Sequence, residues 1–246
     1  MQRYKCIISY DGTGFSGFQI QPNKRTVQGV LEEVLGKIHK GKRIKVIGSG
    51  RTDAGVHAKG QVIHFDSSLS IPVSRWAIAL NSLLPNDVSI LSVVKIDQKF
   101  HARFDTAGKE YRYYLHLSNE RNPFLRHFAF SCPYSLNFAA IKEASEYLLG
   151  THDFTSFCSA KSEVEDKVRT IKEIDFIIEN DLIIFRFVGN GFLYNMVRIL
   201  VGTLLEVGTG NREPKDVIKI LEGRDRRMAG KTAPAHGLYL WQVFYK

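Results

Sequence analysis

The stretch RIKVIGSGRTDAGVHAKGQVIHF, residues 43–65, places a glycine-rich loop between two runs of strand-forming residues. Residues 43–47 and 61–65 are rich in β-branched and aromatic side chains, which predicts two strands. The loop between them begins GSGRTDAG and combines three glycines with a cation and an acid. Glycine permits tight turns and close approach of a ligand. Asp53 in this loop is therefore either a turn-forming residue or a functional carboxylate.

Strands and helices flank this loop in α+β order. In the first half we predict strands at residues 4–10 and 88–95 and helices at 27–39, after the N-cap Thr26, and at 73–84, before Pro85. In the second half we predict strands at 109–117, 171–178, 182–188 and 238–244 and helices at 136–149, 194–207 and 214–221. This order favours two α+β lobes with antiparallel sheets, residues 1–100 and 101–246, over a doubly wound parallel sheet.

The charge balance is strongly basic. Thirty-four Lys and Arg against 25 Asp and Glu give a net charge of +9 and an isoelectric point of about 9.4. A hydrophobic share of 44% excludes a disordered or collagen-like chain. Any one basic cluster could be a solvated surface, but four of them favour a polyanionic partner: residues 24–25, 37–45, 121–127 and 224–231. An anionic membrane is the weaker alternative, because no basic amphipathic helix stands out.

The cysteines and the apolar runs bear on location. Three cysteines lie far apart without a C-x-x-C pair, which is typical of the reducing cytosol and predicts a cytoplasmic protein. The uncharged run at residues 187–197 is too short to cross a bilayer, so we expect no membrane segment.

Two cofactor-binding motifs match this sequence in glycine spacing, but the residues around them exclude both. Gly12, Gly14 and Gly17 have the spacing of a dinucleotide fingerprint, but Pro22 and Asn23 separate them from the next predicted helix. The loop at residues 50–55 has P-loop glycine spacing without the Lys and Ser/Thr that grip phosphate. The histidines are scattered singly. We therefore expect no cofactor and no metal.

Six separated blocks carry a resemblance to a known family. GSGRTDAGVHAKGQV at residues 48–62 resembles the signature of the pseudouridine synthases, and within them the tRNA pseudouridine synthase A family. Five further blocks resemble that family in the same order: DGTGFSGFQIQPNKRTVQG from Asp11, FHARFDTAGKEYRY from Phe100, GTHDFTSF from Gly150, GFLYNMVRILVGTLLEVG from Gly191 and GKTAPAHGLYLWQV from Gly230.

The resemblance implies a fold, a reaction and a partner. It implies an isomerase that converts uridine to pseudouridine at positions 38–40 of the tRNA anticodon arm, and that acts as a homodimer. It also implies two lobes of the ferredoxin-like or RNA-recognition type around a central basic active-site cleft. A non-catalytic RNA-binding or RNA-chaperone protein on the same scaffold is the alternative.

Asp53 matches the nucleophile of that family. Pseudouridine formation breaks the bond between N1 and C1′, turns the base and joins C5 to C1′ within one site. A carboxylate can serve by covalent attack on the base or on the ribose, which leaves both routes open. Burial favours the uncharged acid, which is a poor nucleophile, so Asp53 needs a nearby cation.

Arg198 is the candidate cation, because it is the only charged residue between positions 187 and 205. On an apolar helix its guanidinium must reach water or an acid. The resemblance pairs it with Asp53. Tyr111 alternates with Tyr113 along a predicted strand, which is typical of core tyrosines. The resemblance instead makes Tyr111 the side chain that stacks on the target base and assists removal of its C5 proton.

Two further sets of residues are candidates for RNA contact. Arg51, two residues before Asp53, could occupy the space that an extruded uridine leaves, or hold the neighbouring phosphate. The run Phe100, His101, Arg103 and Phe104 interleaves aromatic and basic side chains, which suits stacking on bases and contact with the backbone. An ordinary strand edge would explain the same run without a ligand.

Overall fold

The computed structural model describes residues 1–246 and contains ten strands and five helices. In chain order they are β1 (Gln2–Tyr10), α1 (Val27–Ile38), β2 (Ile47–Gly48), β3 (His57–Ser67), α2 (Val73–Asn81), β4 (Val88–Ile96), β5 (Thr106–Leu117), β6 (Phe130–Cys132), α3 (Phe138–Glu146), β7 (Gly150–Asp153), β8 (Val168–Glu179), β9 (Leu182–Gly189), α4 (Met196–Gly208), α5 (Asp216–Gly223) and β10 (Leu238–Tyr245). Most strand pairs are antiparallel, so the α+β class expected from the sequence is confirmed.

The chain divides into two compact units. The first unit consists of Met1–Ala107 and Tyr239–Lys246, and the second of Gly108–Leu238. The ranges expected from the sequence, 1–100 and 101–246, place the C-terminal strand in the second lobe. In the structure that strand belongs to the first unit.

The first unit carries the strands in the order β4-β1-β3-β10, with β2 paired to β3. β10 runs parallel to β3, with Tyr239 opposite His57. The largest core side chain is Trp76 of α2, whose ring lies 5.1 Å from that of Tyr4 and 5.3 Å from that of Phe65. Since Tyr4 and Phe65 are paired neighbours on β1 and β3, α2 covers the middle of this sheet.

The second unit carries the strands in the order β5-β9-β8-β7, with β6 parallel to β5. Asn180, in the left-handed region with φ 54°, turns the chain between β8 and β9, as the predicted hairpin requires. Helix α4 is buried along most of its length, including Ile199, Leu200 and Leu204. It has 13 residues, fewer than the roughly 20 that cross a bilayer, and no helix of the protein has the length and hydropathy of a membrane span.

The strand predicted at residues 43–47 is wrong, because only Ile47 and Gly48 pair with β3. Ile44 and Val46 are buried as a strand pattern suggests, but side chains of α1 hold the backbone here. Gln28 donates to the carbonyl oxygen of Val46 (3.0 Å) and Glu32 accepts from its N–H (3.1 Å). With both polar groups satisfied, the segment does not need a strand partner.

Side chains also set the helix ends. Thr26 accepts the N–H of Gly29 at 3.3 Å, which confirms the predicted N-cap of α1. The α3 helix starts at Phe138 instead of residue 136, because Asn137 caps it by accepting from Ala140 (3.1 Å). The α2 helix ends at Asn81 instead of residue 84, where the Asn81 amide pairs with both backbone groups of Ile90.

Candidate active site

The loop that carries Asp53 is fixed at its start by Gln61 of β3, whose side chain is fully buried. The Gln61 amide donates to the carbonyl oxygen of Gly50 (2.9 Å), and its oxygen accepts from the Ser49 hydroxyl (2.6 Å). The Ser49 N–H donates to the carbonyl oxygen of Val62 (2.8 Å). Three hydrogen bonds therefore hold the first residues of the loop against the strand that follows it.

The middle of the loop is held by the segment after β1. The Phe18 N–H donates to the carbonyl oxygen of Thr52 (3.0 Å), and the Gly55 N–H donates to that of Phe15 (3.2 Å). The hydroxyl groups of Tyr10 and Thr52 lie 2.8 Å apart. The residues on both sides of Asp53 are thus bonded to one neighbouring segment.

Glycine is required where these two segments meet. Gly17 has φ +98°, and a Cβ there would lie 2.8 Å from the carbonyl oxygen of Thr52. A Cβ at Gly48 would lie 2.6 Å from the Phe18 ring. Gly17 of the DGTGFSG block therefore allows close packing against the loop, which is a structural role and not the dinucleotide role that the glycine spacing of this block imitates.

Asp53 is half-buried, and its carbonyl oxygen accepts the N–H of Val56 at 3.1 Å in a tight turn. Its backbone is thereby fixed in a residue that is neither fully buried nor fully exposed. A carboxylate on a rigid backbone suits a nucleophile, since the reacting atom must be positioned before the reaction. Arg51 is exposed, and its side chain makes no hydrogen bond or ion pair, which leaves it available to a ligand.

His57, directly after the loop, was not predicted as part of the site. It is 1% exposed, its Nδ1 accepts the Gly12 N–H (3.0 Å), and its ring stacks on that of Tyr239 at 4.6 Å. His57 thus connects the loop to the segment after β1 and to the C-terminal strand. The sequence signal for this role is weak, because a single histidine after a loop has many explanations.

The second unit carries Tyr111 and Arg198. Tyr111 lies on β5 opposite Phe187 of β9, is 8% exposed, and its ring meets that of Phe192 edge-on at 5.1 Å. Tyr113 is fully buried and donates its hydroxyl to the carbonyl oxygen of Pro234 (3.0 Å). Burial raises the pKa of Tyr113, and the charge of Arg198 opposes that rise.

The guanidinium of Arg198 is held by its own unit. Its Nε donates to the carbonyl oxygen of Ala233 (2.7 Å), and its NH1 group donates to Oδ1 of Asn195 (2.8 Å). The Ala233 N–H in turn donates to the carbonyl oxygen of Arg198 (3.0 Å). Arg198 is half-buried, so its charge sits in a defined orientation among the apolar residues of α4.

The four residues expected to contact RNA lie in a turn between β4 and β5, not in a strand. Phe104 is 76% exposed, and its ring stacks on that of His101 at 4.2 Å. Arg103 is exposed as well. Phe100 is partly covered, since its ring lies 5.1 Å from that of Tyr245.

The candidate residues therefore fall into two sets. Asp53 and Arg51 lie in one loop of the first unit, and the turn at residues 100–104 belongs to the same unit. Tyr111 and Arg198 belong to the second unit. No group of three or more His, Cys, Asp or Glu residues has the arrangement of a metal site. The three cysteines are free and buried.

Comparison with known proteins identifies the class. The sequence profile of the family described as tRNA pseudouridine synthase matches residues 6–105 and 144–246, most of the chain. The chain belongs to this family. It is 59% identical over 245 residues to tRNA pseudouridine synthase A of Anoxybacillus flavithermus, covering 100% of this chain and 99% of that protein.

Other relatives agree over the whole length. Identity is 57% to tRNA pseudouridine synthase A of Geobacillus kaustophilus, covering 100% of this chain and 95% of the relative. It is 55% to that of Bacillus subtilis, covering 99% of each. A solved Cbf5-Nop10-Gar1 complex aligns with a TM-score of 0.34 and 15% identity, covering 82% of this chain and 54% of that one; these values support no conclusion.

Proposed function

We propose that this protein forms pseudouridine in the anticodon arm of tRNA, at positions 38–40, with Asp53 as its nucleophile. As a member of its family it is a tRNA pseudouridine synthase, an isomerase that converts uridine in tRNA to pseudouridine. One observation carries the choice of Asp53: hydrogen bonds from Tyr10 and from the segment after β1 hold the residues on both sides of this half-buried aspartate. That is the arrangement a positioned nucleophile needs.

The reaction balances without an external reactant. N1 loses its bond to C1′ and gains a proton, and C5 loses its proton and gains the bond to C1′. In the proposal, the Asp53 carboxylate forms a covalent bond with the base or the ribose and is released when the new C–C bond has formed. Redox chemistry is not needed, because the product is an isomer of the substrate.

The proposal assigns supporting roles to the two residues of the second unit. Arg198 supplies the cation that keeps the nucleophile charged, and its two hydrogen bonds to Ala233 and Asn195 hold the guanidinium in one orientation. Tyr111 stacks on the target base, and its hydroxyl assists removal of the C5 proton. Asp53, Tyr111 and Arg198 together favour an enzyme over a non-catalytic RNA-binding protein.

RNA binding completes the proposal. Arg51 occupies the space left by the extruded uridine or holds the adjacent phosphate, as its exposure and lack of an ion-pair partner allow. Phe100, His101, Arg103 and Phe104 contact RNA outside the reacting nucleotide. The proposal further includes lobes of the ferredoxin-like or RNA-recognition type around a basic cleft, a homodimer and a cytoplasmic location.

The experiment follows the C5 hydrogen. An unmodified tRNA transcript carrying tritium at C5 of its uridines should release tritium to water with the wild-type protein, in a chelating buffer as well. Asp53→Asn should bind tRNA normally and release none, because the amide has nearly the same shape but is a very poor nucleophile. Asp181→Asn, at an exposed turn, is the matched control and should behave as wild type.

Two results would contradict the proposal. Tritium release by Asp53→Asn at near the wild-type rate would remove Asp53 from the role of nucleophile. Tight tRNA binding without release by the wild-type protein would favour the non-catalytic alternative.

A further inference from the structure

A basic cavity lies beside His64, seven residues along β3 from His57, which follows the Asp53 loop. Its volume is about 210 Å³. Its polar lining consists mainly of Arg3, Lys42, Arg43, Lys45, His64 and Asp66. Sites for drug-sized ligands usually have about 300–1,000 Å³, so this cavity suits a smaller group such as a single phosphate.

The cavity has an excess of positive charge. Arg3 is neutralised by Asp66 through two hydrogen bonds of 2.8 Å, and Arg43 lies 3.6 Å from Glu32. Lys42 and Lys45 are exposed and have no carboxylate within 4.0 Å. Two uncompensated lysines in the lining of this cavity would attract a polyanion.

The exposed ring of Phe104 is connected to His64 of the cavity through the ring of His101. The His64 ring lies 5.1 Å from that of His101, and the His101 ring stacks on that of Phe104 at 4.2 Å and 23°. The ring of Phe104 remains mostly in water, with 76% of the residue exposed. A ring this exposed offers a flat face on which an unpaired base can stack.

The turn that presents this ring is well ordered by its own hydrogen bonds. The His101 N–H donates to Oδ2 of Asp105 (2.8 Å), and the N–H groups of Arg103 and Phe104 donate to Nδ1 of His101 (3.2 Å each). Because the turn is fixed, the Phe104 ring is presented before any ligand binds. Such preorganisation reduces the entropy lost on binding.

The position of His64 separates this surface from the chemistry. His57 begins β3 directly after the Asp53 loop, and His64 follows seven residues later on the same strand. At about 3.3 Å per residue this is roughly 23 Å. The reacting uridine at Asp53 cannot also reach this surface, so any RNA bound here belongs to another part of the molecule.

We propose that the cavity and Phe104 form a second RNA-docking site that holds the tRNA substrate away from the reacting uridine. Lys42 and Lys45 bind a backbone phosphate, and Phe104 stacks on an unpaired base. Both contacts are independent of sequence, since every nucleotide offers a phosphate and a flat base. This inference rests on the proposed function in one respect, namely that the substrate is tRNA.

The test compares binding with turnover. Lys42→Ala/Lys45→Ala and Phe104→Ala are titrated with an unmodified tRNA transcript at several salt concentrations, and single-turnover rates are measured at saturating tRNA. We expect the double variant to reduce the slope of log K against log salt by about one to two. We expect Phe104→Ala to weaken binding about fivefold or more, with saturating rates within about twofold of wild type.

Two control variants test whether the losses are specific to the Phe104 ring and to Lys42 and Lys45. Phe104→Tyr keeps the ring and should retain the wild-type affinity. Lys219→Ala removes an exposed lysine that already pairs with Asp216 at 2.8 Å and should leave the salt slope unchanged. Thermal unfolding of each variant shows that the fold is kept.

Several outcomes would overturn the inference. These are an unchanged Kd and salt slope in both test variants, an equal loss in Lys219→Ala, or a loss confined to the saturating rate. Dissociation of an oligomer by Phe104→Ala, with tRNA affinity per subunit unchanged, would make this surface a protein interface. Tritium release by the wild-type protein reports on the proposed function separately, so the two can fail independently.

Discussion

The hydroxyl groups of Tyr10 and Thr52 lie 2.8 Å apart, one residue before Asp53. Both residues are almost inaccessible, at 5% and 6% exposure. Burial raises the pKa of Tyr10, so its hydroxyl stays protonated at neutral pH. The end of β1 is thereby tied to the loop that carries the candidate nucleophile.

Tyr10→Phe removes this tie without changing the shape of the ring. We expect a loss of about 0.5–1.5 kcal/mol in the free energy of unfolding and a reduced single-turnover rate, because Thr52 loses the partner that holds it beside Asp53. Urea unfolding and tritium release measure the two effects. Tyr134→Phe, at a residue 65% exposed, is the control. Unchanged stability and rate in Tyr10→Phe would show that the contact is incidental.

Gly17→Ala tests the close approach of the two segments. The new Cβ would stand 2.8 Å from the Thr52 carbonyl oxygen on a backbone with φ +98°. We expect a loss of about 1–3 kcal/mol of stability and of most activity. Gly41→Ala has nearly the same φ, +89°, and no atom within 4 Å, so it isolates the backbone strain. Equal effects in both variants would mean that the contact with Thr52 has no consequence.

Arg51→Ala removes an exposed cation that has no partner in the protein. If Arg51 acts on the extruded uridine, the single-turnover rate at saturating tRNA should fall at least tenfold, whereas Kd for tRNA changes little, since the other basic clusters set affinity. Rates with a range of tRNA concentrations separate the two effects. A normal rate at saturation would limit Arg51 to general binding.

Arg198→Met keeps an apolar stem and removes the charge. We expect a strong loss of turnover, because Asp53 would lack its proposed cation, with a smaller effect on thermal stability, since Met can pack among the apolar residues of α4. Arg198→Lys should be more active than Arg198→Met but less active than wild type. An ammonium lacks the planar fork with which the guanidinium donates to Ala233 and to Asn195 at the same time. Full activity in the Met variant would restrict Arg198 to a structural role.

His64 should make stability depend on pH. Burial, helped by Arg3 and His101, lowers the pKa of His64 to about 4. The folded protein therefore binds fewer protons than the unfolded chain between the unfolded pKa of about 6.5 and pH 4. Stability should fall by at most about 3 kcal/mol as pH drops through this window. Urea unfolding at pH 7 and pH 4.5 should show a smaller loss for His64→Gln, and an equal loss would contradict the assignment.

Most elements of the fold follow from hydrophobic periodicity, and the exceptions have two causes. The segment at residues 43–47 alternates like a strand, but Gln28 and Glu32 satisfy its backbone from a helix. The short strands β6 and β7 have only three and four residues, too few for a period to be visible. Distant side chains decide the first case and backbone pairing with β5 and β8 decides the second, whereas a sequence pattern reports only on near neighbours.

The candidate site could likewise be predicted only in part. The composition of the loop at residues 48–55 predicts a glycine-rich turn, which the structure has at this place, and the functional role of its carboxylate stays a prediction. Its supports could not be predicted, since Gln61 and Tyr10 reach it through single polar atoms from elements that read as ordinary strands. Whether Tyr111 and Arg198 act with Asp53 remains a prediction from the family resemblance.

The parallel pairing of β10 with β3 has a consequence for synthesis. The ring of Tyr239 stacks on that of His57, directly after the loop that carries Asp53, yet the whole of Gly108–Leu238 is translated between the two parts of the first unit. During synthesis the whole sequence of the second unit is therefore present before the strand β10 can pair with β3 in the first unit. The stacking of Tyr239 on His57, next to the Asp53 loop, can form only after β10 has been synthesised.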